Sequence, residues 1–300
     1  MLPITSGPRV GRRTPDDWVD IPYERFSVSP LTPTIGAEIG DVDLRNVDDD
    51  LFADIRRCLL EWKVIFFRDQ HLERAEQATF ARRFGDLETH PFFKHLGKSQ
   101  PQPDDEPEVV RLAKGPAVAG YENVWHTDTS WRPCPAFGAV LRAIEVPDVG
   151  GDTLWADMGA AYDGLDDALR AQIDSLGAEH DWIATFGSAM DPATVRALRG
   201  DFPAVSHPVV RTHPETGRRT LFVNRDFTTC VVGMSPDDSD ELLDHLYRQA
   251  DYPEYQCRFR WTAGAVAIWD NRATQHYAAN DYFPQRRVME RVAIAGDRPF

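Results

Sequence analysis

Short apolar runs separated by polar, glycine- and proline-rich connections dominate this chain, with few long helical stretches. Asp48-Asp49-Asp50 precedes Leu51, Ile55, Cys58, Leu59 and Trp62, a three- and four-residue spacing that predicts an aspartate-capped amphipathic helix. Val64-Ile65-Phe66-Phe67 then predicts a buried strand, and a second helix is expected from about Leu72 to Phe84, stopped at Gly85. The region from Gly97 to Gly120 reads mostly as loop, with a short strand around Val109-Val110. Further strands are expected at Val124 to Asp128, Gly138 to Ile144, near Val209, and at Thr220 to Asn224. Others fall at Gln256 to Trp261, Ala265 to Trp269 and Arg287 to Ile294, with Thr262-Ala263-Gly264 as a tight hairpin connection. Helices are expected from Ala160 to Leu176 and from Ser235 to Ala250, the second opened by a serine cap, a first-turn proline and two acids. Many short strands with interspersed helices predict an antiparallel sandwich or barrel with helical decoration.

Composition narrows the partners. The 300 residues are 42% hydrophobic, enough for a sizeable core, and carry a formal net charge of −15. That charge disfavours nucleic acid and anionic membranes, which reward basic surfaces. Residues 1–20 read as a flexible N-terminal arm and 21–300 as a single domain. Arg12-Arg13 is followed by Thr14-Pro15-Asp16-Asp17 instead of an apolar stretch, so it does not read as a twin-arginine signal. No run approaches the ~18 apolar residues of a membrane span, and the cysteines Cys58, Cys134, Cys230 and Cys257 form no C-x-x-C pair. A soluble, cytoplasmic protein with free thiols is expected.

The chemistry sits in His126-Thr127-Asp128. In a strand, residues two apart project from the same side, so one short element can offer an imidazole and a carboxylate to a metal. With nine histidines such a triplet also arises by chance, and a buried histidine held by an aspartate explains it equally well alone. Two imidazoles and one carboxylate on one face of a metal are the arrangement of non-haem Fe(II) oxygenases. His71, His95, His180, His207, His213 and His245 lack comparable context and read as solvated or core histidines.

Trp125-His126-Thr127-Asp128, Trp269-Asp270-Asn271-Arg272-x-x-x-His276, Gly150-Gly151-Asp152-Thr153-Leu154-Trp155 and the stretch from Asp281 to Arg291 together resemble the taurine dioxygenase / 2,4-D dioxygenase (TauD/TfdA) family. The resemblance covers roughly residue 30 to the C-terminus, with Ile35-Gly36-Ala37-Glu38-Ile39 similar to the family's opening strand. It implies a mostly β fold with helices, a double-stranded β-helix (jelly roll, cupin-like) core. It also implies an Fe(II)- and 2-oxoglutarate-dependent dioxygenase using O2, with His126, Asp128 and His276 as metal ligands. By the same resemblance Arg287 and the Thr153 hydroxyl hold the far carboxylate of 2-oxoglutarate, and Arg291 contacts an anionic substrate group, with a structural ion pair as its alternative. If Arg287 to Arg291 form a strand, Arg287, Met289 and Arg291 share one face, the two arginine roots about 13 Å apart.

His90, Phe93, Phe186 and Phe227 match family positions lining the substrate pocket, and Glu122 falls near another. Phe93, Phe186 and Phe227 make that pocket more apolar than taurine requires, whereas Glu122 either meets a cationic group or faces water. The expected substrate is therefore a small organic anion, first a sulfonate or sulfate ester and second an aryloxyalkanoate or secondary-metabolite carboxylate. The product is hydroxylated, with succinate and CO2 released, and a homo-oligomer, dimer or tetramer, follows the family's habit. Two rivals are a non-catalytic metabolite-binding module, which would have no need to keep all three metal ligands and Arg287, and a cupin-like metal isomerase or lyase, which would not need Arg287 and Thr153.

Overall fold

The computed structural model describes residues 9, 11–89, 91–92, 107–118, 120 and 122–300. Along the chain run the strands β1 (Ser27–Pro30), β2 (Ala37–Gly40), β3 (Val64–Phe67), β4 (Leu87–Glu88) and β5 (Val109–Lys114). Next come β6 (Gly138–Glu145), β7 (Thr153–Asp157), β8 (Gly177–His180), β9 (Val205–Pro208), β10 (Val210–Thr212) and β11 (Arg219–Leu221). The series closes with β12 (Thr228–Val231), β13 (Gln256–Phe259), β14 (Val266–Asp270), β15 (Thr274–Ala278) and β16 (Arg287–Ile294).

The major sheet has the order β1-β2-β3-β14-β6-β16, and the far edge of β16 carries both β5 and β4. Its pairs are antiparallel except β2 with β3. Facing it is a smaller sheet of order β13-β7-β15. The chain is thus mostly β with helices, two facing sheets of a double-stranded β-helix that do not close into a barrel among the described residues.

Alternation along the major-sheet strands decides which side chains enter which layer. Val64, Phe66, Ala139, Leu141, Ala267, Trp269 and Met289 point inward and pack on Trp155, Cys257 and Phe259 of the smaller sheet. Their neighbours Ile65, Phe67, Val140, Val266, Ile268 and Val292 point outward and are covered by the helix Asp49–Trp62 and the helix Arg74–Arg82. The first of these helices starts where predicted, with the Asp48 side chain accepting the Leu51 N–H at 2.7 Å. It stops at Lys63, whose φ of 62° breaks the helical course and turns the chain into β3.

Three expectations change. Thr262-Ala263-Gly264 is a turn, but not of a hairpin: β13 pairs with β7, while β14 pairs with β3 and β6, so the turn carries the chain from one sheet to the other. The region Ala160 to Leu176 divides into helices Met158–Asp163 and Asp167–Ile173, because Asp157 and Asp166 each cap a separate start. Val124 to Asp128 is not a strand; only His126 makes a bridge, to His276. Part of the expected N-terminal arm is held down, the Arg13 carbonyl accepting from Lys63 and Arg218 while its guanidinium covers the Trp62 ring.

Candidate metal centre and cosubstrate cavity

His276 lies on β15, paired on one side with Trp155 of β7. On its other side it exchanges both main-chain hydrogen bonds with His126, at 2.9 and 3.1 Å. The segment carrying His126 and Asp128 is thereby laid along the edge of the smaller sheet. The imidazole rings stand 4.1 Å apart between centroids. Asp128 Oδ1 lies 3.8 Å from His126 Nε2 and 3.9 Å from His276 Nε2. These separations exceed hydrogen-bond length, and one donor atom from each residue falls within 4.8 Å of the others, so the three face a common point.

Hydrogen bonding orients the first donor, and burial and charge act on the other two. His126 Nδ1 sits 2.8 Å from the Val124 carbonyl, which favours the proton on that nitrogen and leaves the Nε2 lone pair facing inward. Burial, with the His126 ring alongside, holds the His276 imidazole down to about 3, so it is neutral at pH 7. Burial acts to raise the Asp128 carboxyl, but the surrounding positive groups, the Arg291 guanidinium foremost, together outweigh it and bring the group down to about 2. Two imidazoles, one carboxylate and no thiolate fit ferrous iron better than structural zinc.

Arg287 and Arg291 leave the inner face of β16 toward the same cavity, together with Leu112, Leu141, Trp269 and Thr153. Arg287 donates from Nε to the Gly151 carbonyl at 3.0 Å and from Nη2 to Thr153 Oγ1 at 3.3 Å. Thr153 Oγ1 also accepts Trp261 Nε1–H at 3.0 Å. With both acceptor positions engaged, the Thr153 hydroxyl proton is free to be donated to a ligand. Burial lowers the Arg287 pKa while Tyr282, Glu122 and Asp152 oppose it, and a guanidinium so placed calls for a carboxylate partner.

Arg291 Nη1 lies 3.0 Å from each Asp128 oxygen, and its Nε is buried without an acceptor among the described residues. Glu122 also lines the cavity, where its carboxylate pairs with Lys114 at 2.8 Å. Sequence reasoning passed over Lys114, although it alternates with Leu112 along β5 and so faces the same way. Phe186 and Phe227 stand 5.9 Å apart in an aromatic cluster with Phe92, Trp131 and Trp182, and neither lines this cavity. Beside them Thr185 donates to the carboxylate of Asp226 at 2.8 Å, a pair the sequence did not single out. His90 and Phe93 lie outside the described residues. A larger surface groove of about 820 Å³, near Arg9 and His245, contains none of the predicted site residues.

The family model described as taurine catabolism dioxygenase TauD, TfdA family matches residues 27–293. The chain belongs to the TauD/TfdA family. Membership makes it an enzyme of the 2-oxoglutarate-dependent dioxygenase class. It is 38% identical over 285 residues to an alpha-ketoglutarate-dependent sulfate ester dioxygenase of Pseudomonas putida, covering 91% of each chain. It is 35% identical over 287 residues to a (S)-phenoxypropionate/alpha-ketoglutarate-dioxygenase of Sphingobium herbicidovorans, covering 91% of this chain and 96% of the relative. The crystal structure of a taurine dioxygenase from Burkholderia xenovorans aligns with a TM-score of 0.78 at 36% identity, covering 92% of each chain.

Proposed function

We propose that this TauD/TfdA-family enzyme uses Fe(II), 2-oxoglutarate and O2 to hydroxylate a small organic anion, first a sulfate ester or sulfonate. The observation that carries the reading is the convergence of His126, Asp128 and His276 on one point beside a buried Arg287–Thr153 pair. In that reading His126, Asp128 and His276 hold the iron, which when bound supplies the oxidising chemistry that side chains lack. Arg287 and the Thr153 hydroxyl take the distal carboxylate of 2-oxoglutarate and set its orientation. Arg291 offers a second positive charge four residues along the same strand, suited to the anion of the primary substrate. The apolar walls Leu112, Leu141 and Trp269 exclude water from the reacting carbon.

Hydroxylating a carbon that bears a sulfate ester or an aryloxy group leaves a product that breaks its own C–O bond. Relatives named for both kinds of substrate support this shared outcome, and an aryloxyalkanoate or secondary-metabolite carboxylate is the second choice. A net charge of −15 supports a small-molecule partner over nucleic acid or an anionic membrane. No helix among the described residues is long and apolar enough to cross a membrane. A cytoplasmic homo-oligomer, dimer or tetramer, completes the proposal, resting on the family resemblance.

The test is succinate release from Fe(II), 2-oxoglutarate and O2 across a panel of alkyl sulfates, sulfonates and aryloxyalkanoates. Succinate should form in step with a modified member of the panel, and His126→Ala should abolish it. Turnover that persists in His126→Ala, or that needs no O2, would refute the reading.

A further inference from the structure

We infer that Asn271 is a positioning residue for the metal centre, its side-chain amide standing in for a strand that the Asp128 segment lacks. This rests on the proposed metal site.

A carboxylate ligand is only as well placed as its main chain, and Asp128 has no ladder partner: the bridge at His126 is the last backbone pairing of its segment. Immediately after Asp128 the chain turns away, Thr129 adopting a φ of 53° that no continuing strand could hold. Into this gap comes Asn271, first residue of the turn between β14 and β15 and 1% exposed. Its Oδ1 accepts the Asp128 N–H at 2.9 Å, and its Nδ2 donates to the Asp128 carbonyl at 3.0 Å. That two-bond ring is what a neighbouring strand residue would make with its own peptide groups. The second Nδ2–H reaches the Ala136 carbonyl at 3.0 Å, so both donors are used.

Neighbouring contacts act in concert. The Thr127 hydroxyl donates to the Thr274 carbonyl at 3.2 Å, and His126 pairs with His276. Three consecutive residues, 126 to 128, are therefore tied to the stretch 271–276 that ends at His276, and of the three only Asp128 is held by a side chain of that stretch. No other side chain bonds the Asp128 main chain among the described residues.

Asn271→Asp keeps the shape and the acceptor but turns two donor contacts into oxygen–oxygen repulsion; Asn271→Ser removes the reach altogether. The probe is Mn(II) alone, titrated calorimetrically into the full chain, with the EPR spectrum of bound Mn(II) as a second readout. Ile55→Ala, in the helix Asp49–Trp62 far from the site, controls for lost stability. Both Asn271 variants should bind Mn(II) about 10–100-fold more weakly, with an altered EPR line shape, while Ile55→Ala binds as the unsubstituted protein does. Folded Asn271 variants with unchanged affinity and spectrum would overturn the inference. So would failure of both to fold, because the amide would then serve folding as a whole. Asp128→Ala separates the two readings: if the unsubstituted protein binds no Mn(II) that Asp128→Ala abolishes, it is the metal site that fails.

Discussion

His126 and His276 form one antiparallel bridge, each main-chain N–H donating to the other's carbonyl, at 3.1 and 2.9 Å. The pairing of two backbones brings their imidazoles to 4.1 Å, so site geometry is an outcome of sheet register. A shift of one residue in β15 would turn His276 to the opposite face and dismantle the site.

Arg287 is committed to Gly151 and Thr153 by its own hydrogen bonds and therefore acts on whatever anion enters beside Thr153. Arg287→Ala should raise the KM for 2-oxoglutarate about 10–100-fold, the cost of a lost charge-assisted contact, with a smaller effect on the primary substrate. Steady-state succinate assays with each substrate varied in turn check this. An unaltered 2-oxoglutarate KM would remove Arg287 from the cosubstrate site.

Arg291 makes a different prediction because its Nη1 already touches Asp128 while its Nε has no acceptor among the described residues. Arg291→Gln should weaken the primary substrate about tenfold or more and leave 2-oxoglutarate binding close to unchanged. If denaturant unfolding shows only a loss of stability, with both KM values preserved, the arginine is a structural counter-ion of Asp128.

Acid should destabilise the fold well above the carboxylate range. His180 and His207 are buried with ring centroids 5.2 Å apart; burial lowers His180 well below its ordinary 6.5 and brings His207 down to about 4. As pH falls through 6.5 the unfolded chain takes up protons on these rings that the folded chain refuses, so stability falls with pH. For His207 the loss should be about 2 kcal/mol by pH 5, and His180 adds to it in the same direction. Asp128, lowered from 3.8, adds its own loss only below that pH. Urea midpoints at pH 7 and 5 measure the slope, and His207→Gln, which can still donate to the Arg132 carbonyl, should reduce it, with the buried His180 and His276 still contributing. An equal slope in the variant would assign the effect elsewhere.

Elements built on local spacing were legible in the sequence: the Asp48-capped helix, β3, and the Arg287, Met289, Arg291 face of β16. Pairing was not. Nothing in Thr262-Ala263-Gly264 distinguishes a hairpin turn from one that crosses between sheets, since the partners, β7 and β6, lie more than a hundred residues upstream. His126 and Asp128 carry the spacing of strand neighbours, yet their alignment comes from His276 and Asn271. Phe186 and Phe227 show another limit: large apolar residues pack wherever a cluster forms, and theirs formed with Trp182, outside the lining of the cavity that holds Arg287.

Asp270 should be the stability anchor of the turn that delivers His276. Its carboxylate, 1% exposed, accepts from Arg272 Nε at 2.9 Å and Nη2 at 2.7 Å, and lies 3.0 Å from His213 Nε2. Burial would push the carboxyl up, but Arg272 and His213 together outweigh it and hold the group far below the usual carboxylate range. Asp270→Leu should cost about 3–5 kcal/mol, because Arg272 would remain buried with Glu215 as its only carboxylate partner among the described residues. Replacing both members, Asp270→Leu with Arg272→Met, should cost clearly less than the two single losses added together, since no uncompensated charge is left behind. Urea unfolding of the two single variants and the double variant at pH 7 completes the cycle. Strict additivity would show that the two side chains do not stabilise each other, and the turn would owe its form to the Thr274 hydroxyl bond to the Asp270 carbonyl at 2.9 Å.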